Sequence, residues 1–201
     1  MRSNIMRTFP RWSYMAVIAV TAAISTAAGT GVQAQQSPEA AAPPAIQALL
    51  RDIGMVEEKL TGLVEAMPAE AYAWRPGEGV RSTGEVVMHI AADNYFLTTP
   101  AGVAAPASTG IKPNDYPSVQ AYETRAATKA EALAAMRESF AHLRAAMEQA
   151  DEAFLSRELT IFGNSMTGLE LWVLTTTHLH EHLGQLIAYA RSNGVVPPWS
   201  G

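Results

Sequence analysis

Apolar residues recur at helical spacing in four long segments of the chain. The first segment begins at Pro44, which suits the first turn of a helix, and its apolar positions keep a period near 3.6 as far as Pro68. A second predicted helix covers about Thr83–Leu97, a third ends near Ala150, and a fourth covers Gly168–Ser192. No segment alternates convincingly with period two, as a half-buried strand would. The pattern therefore predicts an all-α domain folded as a four-helix bundle.

Start and stop signals support these helices. The second, third and fourth helices each follow a capping box, in which a hydroxyl and a carboxylate satisfy free backbone N–H groups of the first turn. The boxes are Ser82–Glu85, Thr128–Glu131 and Thr167–Glu170. Asn193-Gly194 is typical of a helix C-terminus. A turn over residues 118–127 is expected to lead into the third helix.

The connection between the second and third helices is unusually long. Residues 98–117 are rich in Pro, Gly, Ala and Thr, and helix connections in bundles are commonly about two to eight residues. A link of this length can run back along the bundle. It therefore favours second and third helices that point in the same direction.

The N-terminal segment has the layout of a secretory signal. Arg2, Arg7 and Arg11 form a basic region, an apolar, alanine-rich run follows, and Val32–Ala34 resembles a cleavage site. The apolar run is shorter than the roughly 18–20 residues that cross a bilayer. We expect residues 1–34 to be removed on export, so that the mature protein is periplasmic or extracellular and not stably inserted in a membrane. An uncleaved N-terminal anchor is the alternative.

The segment after this signal has a different composition. Residues 35–43 are mainly Ala, Pro, Gln and Ser without an apolar period, which predicts a disordered lead-in. The bundle domain is then expected to cover residues 44–201. We find no internal repeat and no second domain.

The charge of the chain excludes some partners. The sequence has 14 basic and 19 acidic residues, and three of the basic ones lie in residues 1–34, which leaves 11 against 19 and a net charge of −8. Such an acidic surface repels phosphate backbones, so we expect no nucleic-acid partner. There are no cysteines, so any metal must be held by nitrogen and oxygen.

The fourth predicted helix carries a candidate metal site. His178 and His182 lie one turn apart on the same helix face, with Gln185 and Tyr189 on the same stripe, whereas His180 points away. Two imidazoles at this spacing can bind one cation. Satisfied core histidines are the alternative interpretation.

The second helix offers a third ligand. His89 lies among apolar residues that are expected to face inward, and Asp93 and Glu85 share its helix face. Bundle cores commonly build metal sites from side chains on facing helices. Three histidines would leave coordination positions open for water or substrate, as in a catalytic site. Asp93, Glu85 and Gln185 are candidates for a fourth ligand or for hydrogen bonds that hold the histidines in place.

The sequence resembles the DinB/YfiT-like family of four-helix bundle proteins over most of the predicted mature chain, from about Leu49 to Ser200. The motifs, in order along the chain, are Trp74–Pro76, Gly79–Ser82, Val87–Ala91, Phe162-Gly163, His178–Leu186 and Tyr189–Arg191, followed by Gly194 and Pro197-Pro198. No single motif is specific, but their order and spacing are.

This resemblance implies a divalent metal bound by His89, His178 and His182. It also implies an up-down-down-up topology, and many members of the family form dimers, so a homodimer is expected. Characterised members of the superfamily include transferases and isomerases that use a low-molecular-weight thiol. The metal is expected to be zinc, nickel or iron, because imidazole suits all three.

Two hypotheses about function follow. The first is an exported, metal-dependent transferase or hydrolase that acts on a small molecule, with a thiol as a further partner. The second is a non-catalytic bundle that binds metal or ligand in the cell envelope. No catalytic residue can be assigned, because no motif of a known hydrolase class is present and no general base is evident from the sequence.

Overall fold

The computed structural model describes residues 42–126 and 128–200. The predicted signal, residues 1–34, and most of the predicted lead-in lie outside these ranges. Besides four short 3₁₀-helices, the described residues form six α-helices and one hairpin: α1 (Pro44–Ala66), α2 (Thr83–Phe96), α3 (Tyr116–Glu123), α4 (Lys129–Glu148), α5 (Glu152–Ser156), β1 (Glu158–Ile161), β2 (Asn164–Thr167) and α6 (Gly168–Ser192). The long helices α1, α2, α4 and α6 form the predicted four-helix bundle.

The helix signals of the sequence are present in the structure. All three predicted capping boxes form, and each begins its helix at the expected residue. Helix α6 has the bounds that the sequence predicts. The side chains between the helices include fully buried Trp172 and Phe140. No helix of the described residues is both long and apolar enough to cross a membrane.

Three elements differ from the sequence-based expectation, and one of them is the five-residue helix α5, which no pattern predicted. Residues 158–161 and 164–167 form an antiparallel hairpin, although the sequence analysis predicts no strand. Polar and apolar residues alternate in the first strand over only four positions, the minimum for such a pattern, and they do not alternate in the second. The expected turn over residues 118–127 is in fact a separate helix, α3, which begins at Tyr116.

Ion pairs relate α1 to α4. Glu57 pairs with Arg144, and Glu65 pairs with Arg137. The later residue of α1, Glu65, pairs with the earlier residue of α4, Arg137. The two helices therefore run in opposite directions.

Hydrogen bonds relate α2 to α4. Asn94 Nδ2 donates to Ser139 Oγ at 3.0 Å, and Thr98 Oγ1, just beyond α2, lies 3.0 Å from His142 Nε2. The numbers rise together on both helices, so α2 and α4 run in the same direction. The long connection that includes α3 makes this arrangement possible.

Contacts also relate α2 to α6. Asp93 lies beside His178, while Tyr189 near the end of α6 bonds to the carbonyl oxygen of Arg81 ahead of α2. These two helices are therefore antiparallel, and the four long helices run up, down, down and up. The facing sides of α2 and α6 carry the predicted metal ligands.

Candidate metal centre

The structure brings the three predicted ligands together. His89 on α2 and His178 and His182 on α6 each place one ring nitrogen within 4.8 Å of the others. The Nε2 atoms of His178 and His182 are 2.9 Å apart. His89 is buried, and the other two are partly buried. Three imidazole nitrogens converging on one point are a donor set that suits zinc, nickel or iron.

The surroundings keep the α6 histidines neutral. Burial, together with the nearby His182, His89 and Arg81, lowers the pKa of His178 to about 3. Burial also lowers the pKa of His182. A neutral imidazole is the form that binds a metal.

A chain of hydrogen bonds orients the His182 ring. Tyr189 Oη donates to the carbonyl oxygen of Arg81 at 3.1 Å and accepts from Gln185 Nε2 at 2.9 Å. Gln185 therefore presents its Oε1 to His182 Nδ1, at 2.8 Å. Because an amide oxygen only accepts, the His182 proton lies on Nδ1, and Nε2 is free to bind a metal. Of the two roles that the sequence analysis considered for Gln185, fourth ligand or supporting hydrogen bond, this contact fits the second.

Glu123 orients the His89 ring in the same way. Its Oε1 lies 2.6 Å from His89 Nδ1, which directs Nε2 of His89 toward the cluster. Burial alone would raise the pKa of Glu123, but the hydrogen bond with His89 and the nearby charges of His89 and Arg81 lower it overall. The carboxylate therefore stays charged and accepts a hydrogen bond from His89 Nδ1–H.

Sequence reasoning missed Glu123 because it assigned residues 118–127 to a turn. A signal was available: Pro117 sits in the first turn of α3, and Val119 and Tyr122 have helical spacing and are both buried. The pattern could have predicted a short helix. It could not have shown that Glu123 reaches His89.

Asp93 lies next to two of the clustered histidines. Its Oδ2 atom is 3.4 Å from His89 Nε2 and 3.3 Å from His178 Nε2. Its Oδ1 atom is buried and has no hydrogen-bond partner among the described residues. Burial raises the pKa of Asp93 to about 6, despite the opposing charge of His89. A buried carboxylate oxygen without a partner fits a site that receives a cation and its bound water.

Glu85, the third candidate for a supporting role, is used elsewhere. Its carboxylate accepts from the Ser82 backbone N–H at 2.7 Å and pairs with Arg75 at 2.9 Å. It therefore caps α2, one turn or more from the histidine cluster.

The other two histidines lie outside the cluster. His180 is half exposed and pairs with Asp52 at 2.9 Å. His142 is partly buried, lies within hydrogen-bond distance of Thr98 and packs against Tyr95 with ring centroids 5.2 Å apart.

A cleft of about 440 Å³ opens over the histidine cluster. Its polar lining comes from Arg81, His89, Asp93 and His178. Its apolar lining comes from Leu97, Tyr116, Phe162 and Leu174. The volume lies within the range of small-molecule sites, about 300–1,000 Å³.

Replacing Glu123 by alanine is expected to weaken metal binding about 10- to 100-fold, because His89 loses the acceptor that orients it. Competition between the protein and a chromophoric zinc chelator measures this change. Gln120→Ala, on the exposed face of the same helix, is the matched control and should bind zinc as the wild type does. Equal zinc affinity for Glu123→Ala and the wild type would contradict the assigned contact.

Comparisons with known proteins show what the chain is similar to. Residues 53–186 match the family model of the DinB superfamily. This range contains all three histidines, Asp93, Glu123 and Gln185. Among curated proteins, none matches the sequence.

Solved structures with the same fold include DinB-like proteins of bacilli. A DinB-like protein of Bacillus cereus is 17% identical, with a TM-score of 0.62 over 76% of this chain and 95% of that one. YfiT of Bacillus subtilis, described as a probable metal-dependent hydrolase with an unusual four-helix bundle topology, is 18% identical, with a TM-score of 0.61 over 80% of this chain and 94% of its own. At such identity, the similarity establishes the fold.

An enzyme of known activity shares this fold. The mycothiol-dependent maleylpyruvate isomerase is 15% identical, with a TM-score of 0.56 over 70% of this chain and 60% of that one.

Proposed function

The chain belongs to the DinB superfamily, and on this basis we propose that it is a metal-dependent hydrolase of small molecules. His89, His178 and His182 would hold one divalent cation, which is zinc, nickel or iron. The name of YfiT, a probable metal-dependent hydrolase, supports the reaction class. The observation that carries the proposal is that two histidines of the cluster, His89 and His178, line an open cleft.

The cation, when bound, supplies Lewis acidity to a water molecule or to a substrate oxygen. The residues of the chain orient the metal ligands and shape the cleft. Glu123 and Gln185 hold two of the imidazoles in the orientation that binding requires. The apolar walls of the cleft displace water from the substrate, which strengthens electrostatic interactions at the site.

Asp93 would serve as the proton acceptor. Its Oδ2 is held beside two histidines, and its Oδ1 has no partner among the described residues. In hydrolysis, the attacking water gives one proton to the Asp93 carboxylate while the water oxygen bonds to the acyl carbon. The bond to the leaving group then breaks, and Asp93 returns the proton to that group.

The test begins with mass spectrometry of the metal that copurifies with the protein. The protein is then stripped with a chelator and reloaded with zinc, nickel or iron in turn. A panel of small esters and amides should be hydrolysed by a loaded form and not by the stripped form. Absence of bound metal in all of these preparations would overturn the proposal.

Thiol-dependent transfer is the second candidate. The shared fold of the mycothiol-dependent isomerase favours it. Transfer of a low-molecular-weight thiol to an electrophile should then appear in the same loaded protein, without hydrolysis of esters or amides. A protein that binds metal tightly but is inactive in every assay would instead support the non-catalytic, metal-binding function.

We further propose that the protein is exported, on the basis of the basic region, apolar run and cleavage-site pattern in residues 1–34. The full-length chain, expressed in a Gram-negative host, should be found in the periplasmic fraction. N-terminal sequencing should detect a start at or near Gln35. A protein in the cytoplasmic fraction that still begins at Met1 would contradict export.

A further inference from the structure

The cleft over the histidine cluster has two chemically different ends. Because α2 and α6 are antiparallel, Arg81 and Tyr189 lie toward one end of the shared face, and Leu97 and Leu174 lie toward the other. His89, Asp93 and His178 lie between these ends. A molecule that spans the cleft therefore passes over the histidine cluster.

Arg81 marks the polar end, and its guanidinium is weakly engaged. Among the described residues, its guanidinium forms hydrogen bonds only through Nη2, which lies 3.4 Å from both carboxylate oxygens of Glu123. Charge-assisted bonds are normally about 2.7–2.9 Å long. Glu123 makes its short bond, 2.6 Å, to His89 instead. Arg81, with its side chain 39% exposed, can therefore donate to a ligand anion in the cleft.

Phe162 marks the apolar end, and its backbone is strained. It occupies the two-residue loop between β1 and β2 with a φ of +53°, followed by Gly163 at +78°. Such loops favour Asn, Asp or Gly at the first position, because a bulky side chain is unfavourable in the left-handed region.

Neither the turn nor the core explains a phenyl ring at this position. The Phe162 side chain is 62% exposed, and it packs only loosely against Phe96, with ring centroids 6.0 Å apart. It does line the cleft, together with the partly exposed Tyr116 and Leu174. Strain of this kind is typical of functional positions.

We propose that the cleft selects acyl amides or esters that carry an apolar acyl group on one side of the scissile bond and a carboxylate on the other, such as N-acyl amino acids. The carboxylate binds Arg81, the acyl chain lies against Phe162, Leu97 and Leu174, and the bond to be broken lies over the histidine cluster. This inference rests on the proposed hydrolase function. Hydrolysis adds one water across the C–N or C–O bond, and it releases a carboxylic acid and an amine or alcohol.

Binding to the metal-free protein tests the recognition separately from catalysis. Calorimetry compares N-hexanoylglycine with its neutral analogue, N-hexanoylglycinamide. The acid should bind at least about tenfold more tightly than the amide, because only the acid makes a charge-assisted bond to Arg81. Arg81→Gln should bring the ratio of the two affinities close to one. Arg137→Gln, which removes an exposed arginine on α4, should leave the ratio unchanged.

Phe162→Asn tests the apolar end. The variant should bind both ligands about five- to tenfold more weakly and leave their ratio unchanged. Its unfolding temperature should rise by about 2–4 °C, because Asn-Gly is preferred in this turn. A purely structural role for Phe162 predicts the opposite, a lower unfolding temperature with unchanged binding.

Three results overturn the inference. The wild type could bind acid and amide equally, Arg81→Gln could keep the preference for the acid, or Phe162→Asn could bind both ligands as tightly as the wild type. If Arg81→Gln keeps the preference and also lowers zinc affinity, Arg81 is a positioning residue for Glu123.

Zinc titration of the same samples separates this inference from the proposed function. Zinc binding without any preference for the acid removes only the substrate class. A preference for the acid without zinc binding removes only the metal-dependent function.

Discussion

His178→Ala is expected to lose the bound divalent metal. The substitution removes one of three nitrogens that lie within 4.8 Å of one another, and it leaves two ligands on different helices. The loss of affinity should exceed the roughly 10- to 100-fold cost of removing a supporting hydrogen bond. Metal content after dialysis and competition with a chelator measure the change, and hydrolysis should disappear with the metal.

The same substitution should remove the stabilisation that the metal supplies. A ligand at about 100 times its Kd stabilises the folded state by about 2.7 kcal/mol. Zinc should therefore raise the unfolding temperature of the wild type and have little effect on His178→Ala. Stripped wild type and stripped variant should unfold at similar temperatures, because the lost contacts of one partly buried ring are small beside this linkage.

His180→Ala is the matched control for His178→Ala. It changes the same residue type two positions further along the same helix, where the side chain is 48% exposed and pairs with Asp52. This variant should keep both its metal and its thermal response to zinc. If His180→Ala lost the metal and His178→Ala kept it, the assignment of helix faces would be wrong.

Long amphipathic helices with capping boxes are the part of the fold that sequence predicts best. Helix α6 illustrates this, because Thr167 and Glu170 define its start and Asn193-Gly194 its end. Both signals act locally and do not depend on tertiary contacts. The hairpin at residues 158–167 is different, because strands of four residues are stabilised by mutual pairing and by packing against the bundle. Its turn also has Phe where Asn or Gly is the usual signal.

The residues of the candidate site also differ in how far local sequence patterns predict them. His178 and His182 share one helix, so their spacing alone places them on one face. His89 lies on another helix, so spacing could not connect it with them; its apolar neighbours suggested an inward position, and the resemblance to a family supported the same grouping. Glu123 and Arg81 come from a short helix and from a loop. The position of Glu123 depends on how the long connection folds back over α2, and Arg81 lies in the loop just before α2. No local pattern encodes that these two side chains meet beside His89.

Asp93→Asn is expected to abolish most hydrolysis while sparing the metal. The amide has nearly the same shape as the carboxylate, but it cannot accept a proton from water. General bases contribute about 10²- to 10⁴-fold to rate, so kcat should fall by at least about 100-fold with the best ester or amide of the panel. Zinc affinity should change by less than about tenfold, because the three imidazoles remain.

The two measurements together decide what Asp93 does. Its Oδ2 lies 3.3–3.4 Å from two histidine nitrogens, so its carboxylate is also close enough to compete as a ligand. A ligand would lose zinc affinity and rate in parallel, and reloading with excess zinc would restore the rate. A proton acceptor loses rate even when the site is saturated with zinc. Asp52→Asn, which neutralises a surface carboxylate paired with His180, should change neither quantity. An unchanged kcat for zinc-saturated Asp93→Asn would remove Asp93 from the mechanism, and the proton would then have to leave through solvent in the open cleft.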